Sequence, residues 1–244
     1  MKHTTTSIFF THTALGLMLS LGLLLGPTLG QAAKGEPTLS QLLGQAAAYQ
    51  AKGQVNQAEK VLKRALGQAQ RAEDKRSVAL VKNNLASLWI LASKKYRSAG
   101  EEADVYLLEA LKTAEELKDK NLEDSIRVNL GNLLVGWGNY EDAVWNYNEA
   151  VKHADEAGDD ERAAQCRIGM ATAAAFHGST ELATGYAAKA DKNITALKDG
   201  RKKALLHIKL GDVYGRMMDA AADREQRDKW YERRLKDQKG RTNW

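Results

Sequence analysis

A degenerate two-part unit recurs about five times after the first forty residues. Each copy is a helix-length segment with apolar residues three and four apart, a tight turn, and a second such segment. The clearest copy reads Leu130-Gly131-Asn132-Leu133-Leu134, then Trp137-Gly138-Asn139-Tyr140, then Ala143, Tyr147 and Ala150. Self-similarity at a period of roughly 40 residues is the mark of a solenoid, in which each unit buries its apolar face only against its neighbours. Such a chain offers an extended surface where an enzyme would offer a single pocket.

Proline usage fixes the kind of solenoid. The chain holds 2 prolines, Pro27 and Pro37, and none from Thr38 to Trp244. Proline marks turns and strand edges and breaks helix interiors. Its absence, together with abundant Ala, Leu, Glu, Lys and Gln, predicts an all-α body. In the first copy Leu42, Ala46 and Tyr49 share one helix face, Gly53-Gln54 turns the chain, and Ala58, Leu62, Ala65 and Leu66 form the second stripe. The second copy runs Leu85-Ala86-Ser87-Leu88-Trp89, then Ala103, Leu107, Ala110 and Leu111. Between them Ala92 to Gly100 is long and polar, which implies either an extended first helix or a long connection. The fourth copy is read from Ile168-Gly169, with Phe176-His177-Gly178 as its turn and Ala183, Ala187 and Ala190 after it. The fifth begins at Leu210-Gly211-Asp212-Val213-Tyr214 and lacks a turn glycine. Small residues let paired helices approach, so Gly131 is expected to face Ala143, with Tyr147 and Leu134 filling the gap to the next hairpin.

The first thirty-odd residues read as a targeting segment. Lys2 and His3 precede an apolar run from Ala14 to Leu25, followed by Pro27, Gly30 and small residues for cleavage near Ala32. The run falls short of the roughly 20 apolar residues that a span requires, which favours cleavage over a retained anchor. The expected product is exported, to the periplasm or the cell exterior. Removing Lys2 and no acid takes the net charge from +5 to +4, a mild excess that suits an acidic partner. The 1 cysteine, Cys166, excludes an intrachain disulfide and reads as a small packing residue.

The unit from Leu130 to Ala150 resembles the tetratricopeptide repeat (TPR): Leu-Gly, an aromatic or Leu three residues on, a glycine turn, then spaced Ala, aromatic and Ala. Asn83-Asn84-Leu85-Ala86 with Ala103 to Leu111 is similar to the longer variety of about 42 residues found in kinesin light chains and many bacterial proteins. The resemblance implies a right-handed superhelical α-solenoid of about five helix-turn-helix hairpins. The expected layout is a signal peptide over 1–32, a linker over 33–38, repeats over 39–218, a charged capping helix over 219–239 and a tail over 240–244. The resemblance also implies that the first helix of each hairpin lines a concave groove. The polar residues flanking each Leu-Gly or Leu-Ala pair are then the candidate peptide contacts: Asn84, Ser87, Asn129, Asn132, Arg167, Lys209 and Asp212. Asn matches a peptide amide as donor and acceptor, and Arg or Lys matches a carboxylate.

Catalytic signatures are missing from the sequence. It has no Gly-rich phosphate loop, no histidine pair at helical spacing and no Gly-x-Ser-x-Gly elbow. His153, His177 and His207 fall in separate repeats, so no metal or other cofactor is expected. Asn193-Ile194-Thr195 is a glycosylation sequon in form only, since it falls mid-helix. The reading is a non-enzymatic scaffold that binds a protein or peptide and no nucleic acid, and that meets membrane only through the signal peptide. The alternatives are self-association through outward Trp145, Tyr106 and Tyr186, or an accessory role in an envelope complex.

Overall fold

The computed structural model describes residues 35–93, 97–198, 200–220 and 232–233. The expected signal peptide over 1–32, most of the expected capping helix over 219–239 and the expected tail over 240–244 lie outside the described residues. Nine helices are described: α1 Leu39–Ala51, α2 Val55–Arg71, α3 Lys75–Ser93, α4 Arg97–Glu116, α5 Lys120–Trp137, α6 Tyr140–Ala157, α7 Asp160–Phe176, α8 Thr180–Ala196 and α9 Arg201–Ala220. No strand occurs among the described residues, and none of these helices is long and apolar enough to cross a membrane. The helices pair in order as four hairpins, with α9 opening a fifth. Arg233 lies over the Tyr214 ring at 5.8 Å.

Local chemistry sets the helix ends. Thr38 begins α1 with a reciprocal capping box, its hydroxyl accepting from the Gln41 N–H and the Gln41 side chain accepting from the Thr38 N–H. Asp74, Asp119 and Asp159 cap α3, α5 and α7 by accepting backbone N–H groups three residues on. Gly138 ends α5 at φ 80, a left-handed geometry that only glycine adopts without strain. In the second hairpin the long polar stretch is absorbed by the helices themselves: α3 has 19 residues and α4 has 20, and only residues 94–96 separate them.

Alanines seat the second helices. Ala58, Ala103, Ala143 and Ala183 are all 0% exposed and mark the same position on α2, α4, α6 and α8. Curvature follows from how hairpins stack. Successive first helices touch (α3 with α5, α5 with α7, α7 with α9), while second helices do not pack on one another to that extent among the described residues. The first helices therefore lie on the inner side of the curve.

One packing expectation is corrected. A Cβ on Gly131 would meet the Tyr147 ring at 2.7 Å, so the space beside Gly131 belongs to Tyr147, not to Ala143. A Cβ on Gly169 would meet the same ring at 2.5 Å from the other side. Tyr147 on α6 is thus clamped between α5 and α7, filling the gap to the next hairpin, and its hydroxyl donates to Asn132 Oδ1 at 2.8 Å.

Candidate concave groove

The caps give a register that the Leu-Gly pairs obscure. Asp74 and Asp119 are 45 residues apart, and Asp119 and Asp159 are 40 apart. Asn139 and Ser179, which open α6 and α8, are also 40 apart. Buried Leu206, Leu210, Val213 and Tyr214 on α9 repeat Cys166, Met170, Ala173 and Ala174 on α7 at the same step. The counterpart of Leu130-Gly131 in the fourth hairpin is therefore Met170-Ala171, and the pairing on Ile168-Gly169 is two residues out of register.

Two columns now cross the first helices. Ser87, Asn132, Thr172 and Asp212 form a polar column on α3, α5, α7 and α9. Asn132, Thr172 and Asp212 are half-buried, and Ser87 is buried. Thr172 went unnoticed in the sequence because of the slipped register; the 40-residue spacing of the Asp caps would have found it. Asn84, Asn129, Gly169 and Lys209 form the neighbouring column.

This second column is partly committed to the frame. Asn129 is buried, and its Nδ2 donates to Asn83 Oδ1 at 2.8 Å across the α3–α5 seam. Asn84 is buried too, yet its Nδ2 has no hydrogen-bond partner. Arg167 belongs to neither column. It corresponds to Arg127, 40 residues earlier, and both reach back 12 residues to the end of the preceding helix. Arg127 Nη2 meets Glu115 at 3.0 Å, and Arg167 Nη2 meets Asp155 at 2.6 Å. Arg167 also donates to Asn193 Oδ1, while Asn193 Nδ2 donates to Asp160 at 2.6 Å. The side chain of the sequon asparagine is therefore spent on the α7–α8 seam. Arg127 and Arg167 read as clamps between hairpins.

Lys209 differs from every other cation described on the first helices. Burial strips water from its ammonium and lowers its pKa from the usual 10.5 to about 8, with Glu161 opposing that fall weakly from a distance. Glu161 is itself engaged by Lys202 at 2.8 Å, and no described residue pairs with Lys209. Because the folded state disfavours the charged amine, the unfolded chain binds more protons between pH 8 and 10.5. Stability is expected to rise with pH across that window. Lys209→Met should raise the melting temperature at pH 7 and flatten that rise; pH-dependent thermal unfolding of both proteins checks this.

Structural comparison places the architecture. The chain superposes on BtubC (BKLC) from P. vanneervenii with a TM-score of 0.65 and 20% identity, covering 84% of this chain and 82% of that one. It superposes on kinesin light chain TPR-like repeats from Podosopora anserina with a TM-score of 0.61 and 16% identity, covering 84% of this chain and 99% of that one. The fold is a TPR-like α-solenoid. No protein-family model and no curated protein matches the sequence. At this level of identity the TPR-like likeness concerns the fold alone, so function rests on the chain's own residues. Of the outward aromatics, Trp145 is 55% exposed with Arg127 over its ring at 5.4 Å. Tyr106 instead packs on Trp89 at 4.9 Å, and Tyr186 packs on the C-terminal core.

Proposed function

We propose that the protein is an exported, non-enzymatic scaffold whose concave groove takes a peptide segment of a partner protein. The polar column Ser87, Asn132, Thr172 and Asp212 carries this reading. Four hydrogen-bonding side chains at one register on successive helices suit an extended backbone, which offers a donor and an acceptor at regular intervals. One further group supports it. The unpaired ammonium of Lys209 is a desolvated cation that a carboxylate would neutralise, which favours an acidic ligand. Export rests on the N-terminal pattern of Lys2, the Ala14 to Leu25 run and the small residues before Ala32.

The test is capture from the native envelope fraction by wild type beside Ser87→Ala/Thr172→Ala/Asp212→Ala. A partner held by wild type and lost by the folded variant supports the groove, whereas equal capture by both removes it. Lys209→Met is expected to weaken an acidic ligand about 10- to 100-fold, the effect of losing a charge-assisted contact. Replacing Asn129 or Asn132 would be a poor test, because the first supports Asn83 and the second supports Tyr147.

A further inference from the structure

Two stretches of the chain, residues 128–151 and 168–188, carry no lysine or arginine. Each crosses the turn within a hairpin, from α5 into α6 and from α7 into α8. The cations of the third and fourth hairpins therefore lie toward the other end of the helices, where turns join one hairpin to the next. There they pair with acids: Arg127 with Glu115, Arg162 with Asp159, Arg167 with Asp155 and Lys202 with Glu161. The within-hairpin end has acids without such partners. Glu141 and Glu181 take the same position in the first turns of α6 and α8. Both are exposed, and neither forms an ion pair among the described residues. Asp142, also exposed, accepts from Asn139 Nδ2 at 2.6 Å.

Large apolar groups are exposed at this same end. Trp137 is 45% exposed, Phe176 45% and Leu182 56%. Tyr140 stacks on Phe176 at 6.0 Å with the rings 5° apart, and it meets His177 at 6.0 Å. The two turns thus form one continuous surface. An aromatic centre with a charged rim is the composition of a protein interface. The surface already receives one cation, since Arg216 of α9 lies 4.5 Å over the Phe176 ring. The Trp137 ring carries none among the described residues.

We propose that this edge of the third and fourth hairpins docks a basic segment of a partner protein, one with Lys or Arg beside apolar side chains. Glu141 and Glu181 meet its cations, and Trp137 offers a further face for one. Trp137 and Leu182 bury its apolar groups. Charge complementarity sets the partner, because the acids opposite are already clamped to arginines within the array. The edge lies at the helix ends, outside the column from Ser87 to Asp212, so this docking does not depend on the groove.

The probe is a short fluorescent peptide of arginine and leucine, and its anisotropy reads binding. Binding is expected at an ionic strength of about 0.01 M and should weaken at least about tenfold near 1 M. Glu141→Gln/Glu181→Gln and Trp137→Ala/Leu182→Ala should each weaken it about tenfold. The same peptide with serine for leucine should bind about tenfold more weakly. Glu116→Gln/Glu156→Gln makes an equal charge change at exposed positions on the opposite edge, and should leave affinity within about twofold. Circular dichroism verifies the helices of each variant. A wild type that ignores the peptide overturns the proposal, as does a folded Trp137→Ala/Leu182→Ala protein that binds like wild type. A control pair that weakens binding as much as Glu141→Gln/Glu181→Gln reduces the effect to diffuse attraction and also overturns it. Sedimentation covers the remaining occupant: wild-type self-association abolished by the same variants would assign the edge to a second copy instead.

Discussion

Tyr147→Ala is expected to lower the unfolding free energy by about 3–5 kcal/mol, the range for emptying a buried aromatic site. The ring is 2% exposed and wedged between Gly131 and Gly169, so its removal opens the space between two hairpins at once. It also leaves Asn132 Oδ1 without the hydroxyl it accepts from. The complementary change, Gly169→Ala, puts a methyl 2.5 Å from the ring and should cost about 1–3 kcal/mol through overpacking. The two changes share one space, so they should not add. In the Tyr147→Ala background the Gly169 methyl enters a void and should be neutral or stabilising, a coupling that a double-mutant cycle in urea reads directly. If the two penalties simply summed, the ring would not be held between these glycines.

That slot shows how far the sequence could be read. Helix class, hairpin order and the buried alanines followed from period and proline usage, because those patterns are one-dimensional images of burial. Ala58, Ala103, Ala143 and Ala183 were visible at once, since a small residue at fixed spacing has one explanation. Gly169 had two. It mimicked the Leu-Gly pair of the third hairpin, yet it is glycine because Tyr147 of the preceding helix needs the room. A glycine that answers a neighbour's bulk carries no local sign of that neighbour. The same slip hid Thr172 and turned Arg167 into a groove candidate, although its partners Asp155 and Asn193 lie on flanking helices. The columns themselves were legible only in part, because a side chain's neighbour across a seam depends on the stacking of hairpins. Asn129 illustrates this: its amide looks like a peptide reader in the sequence and bonds Asn83 in the fold.

The seam that Arg127 closes should be sensitive to acid. Glu123 has a side chain only 6% exposed, and Arg127 is 10% exposed. Burial pushes the Glu123 carboxyl up, but hydrogen bonds from Lys120 and Arg127 outweigh burial and hold its pKa below the ordinary 4.5. A depressed carboxylate pKa contributes stability above its unfolded value and loses it as pH falls through the folded one. The wild type is therefore expected to lose this contribution below about pH 4.5, and Glu123→Gln should flatten that part of the pH–stability curve. Arg127→Met should be severe at pH 7, about 3–5 kcal/mol, because Glu123 is left buried with only the exposed Lys120 near it. Its deficit should narrow on acidification, where protonated Glu123 no longer needs a cation. Arg127→Met/Glu123→Leu should recover most of the loss, since an apolar pair of similar volume commonly matches a buried ion pair. Urea unfolding of the four proteins at pH 7 and pH 3 separates the cases. An Arg127→Met deficit that stayed constant with pH would assign the arginine's role to its contact with the Trp145 ring instead.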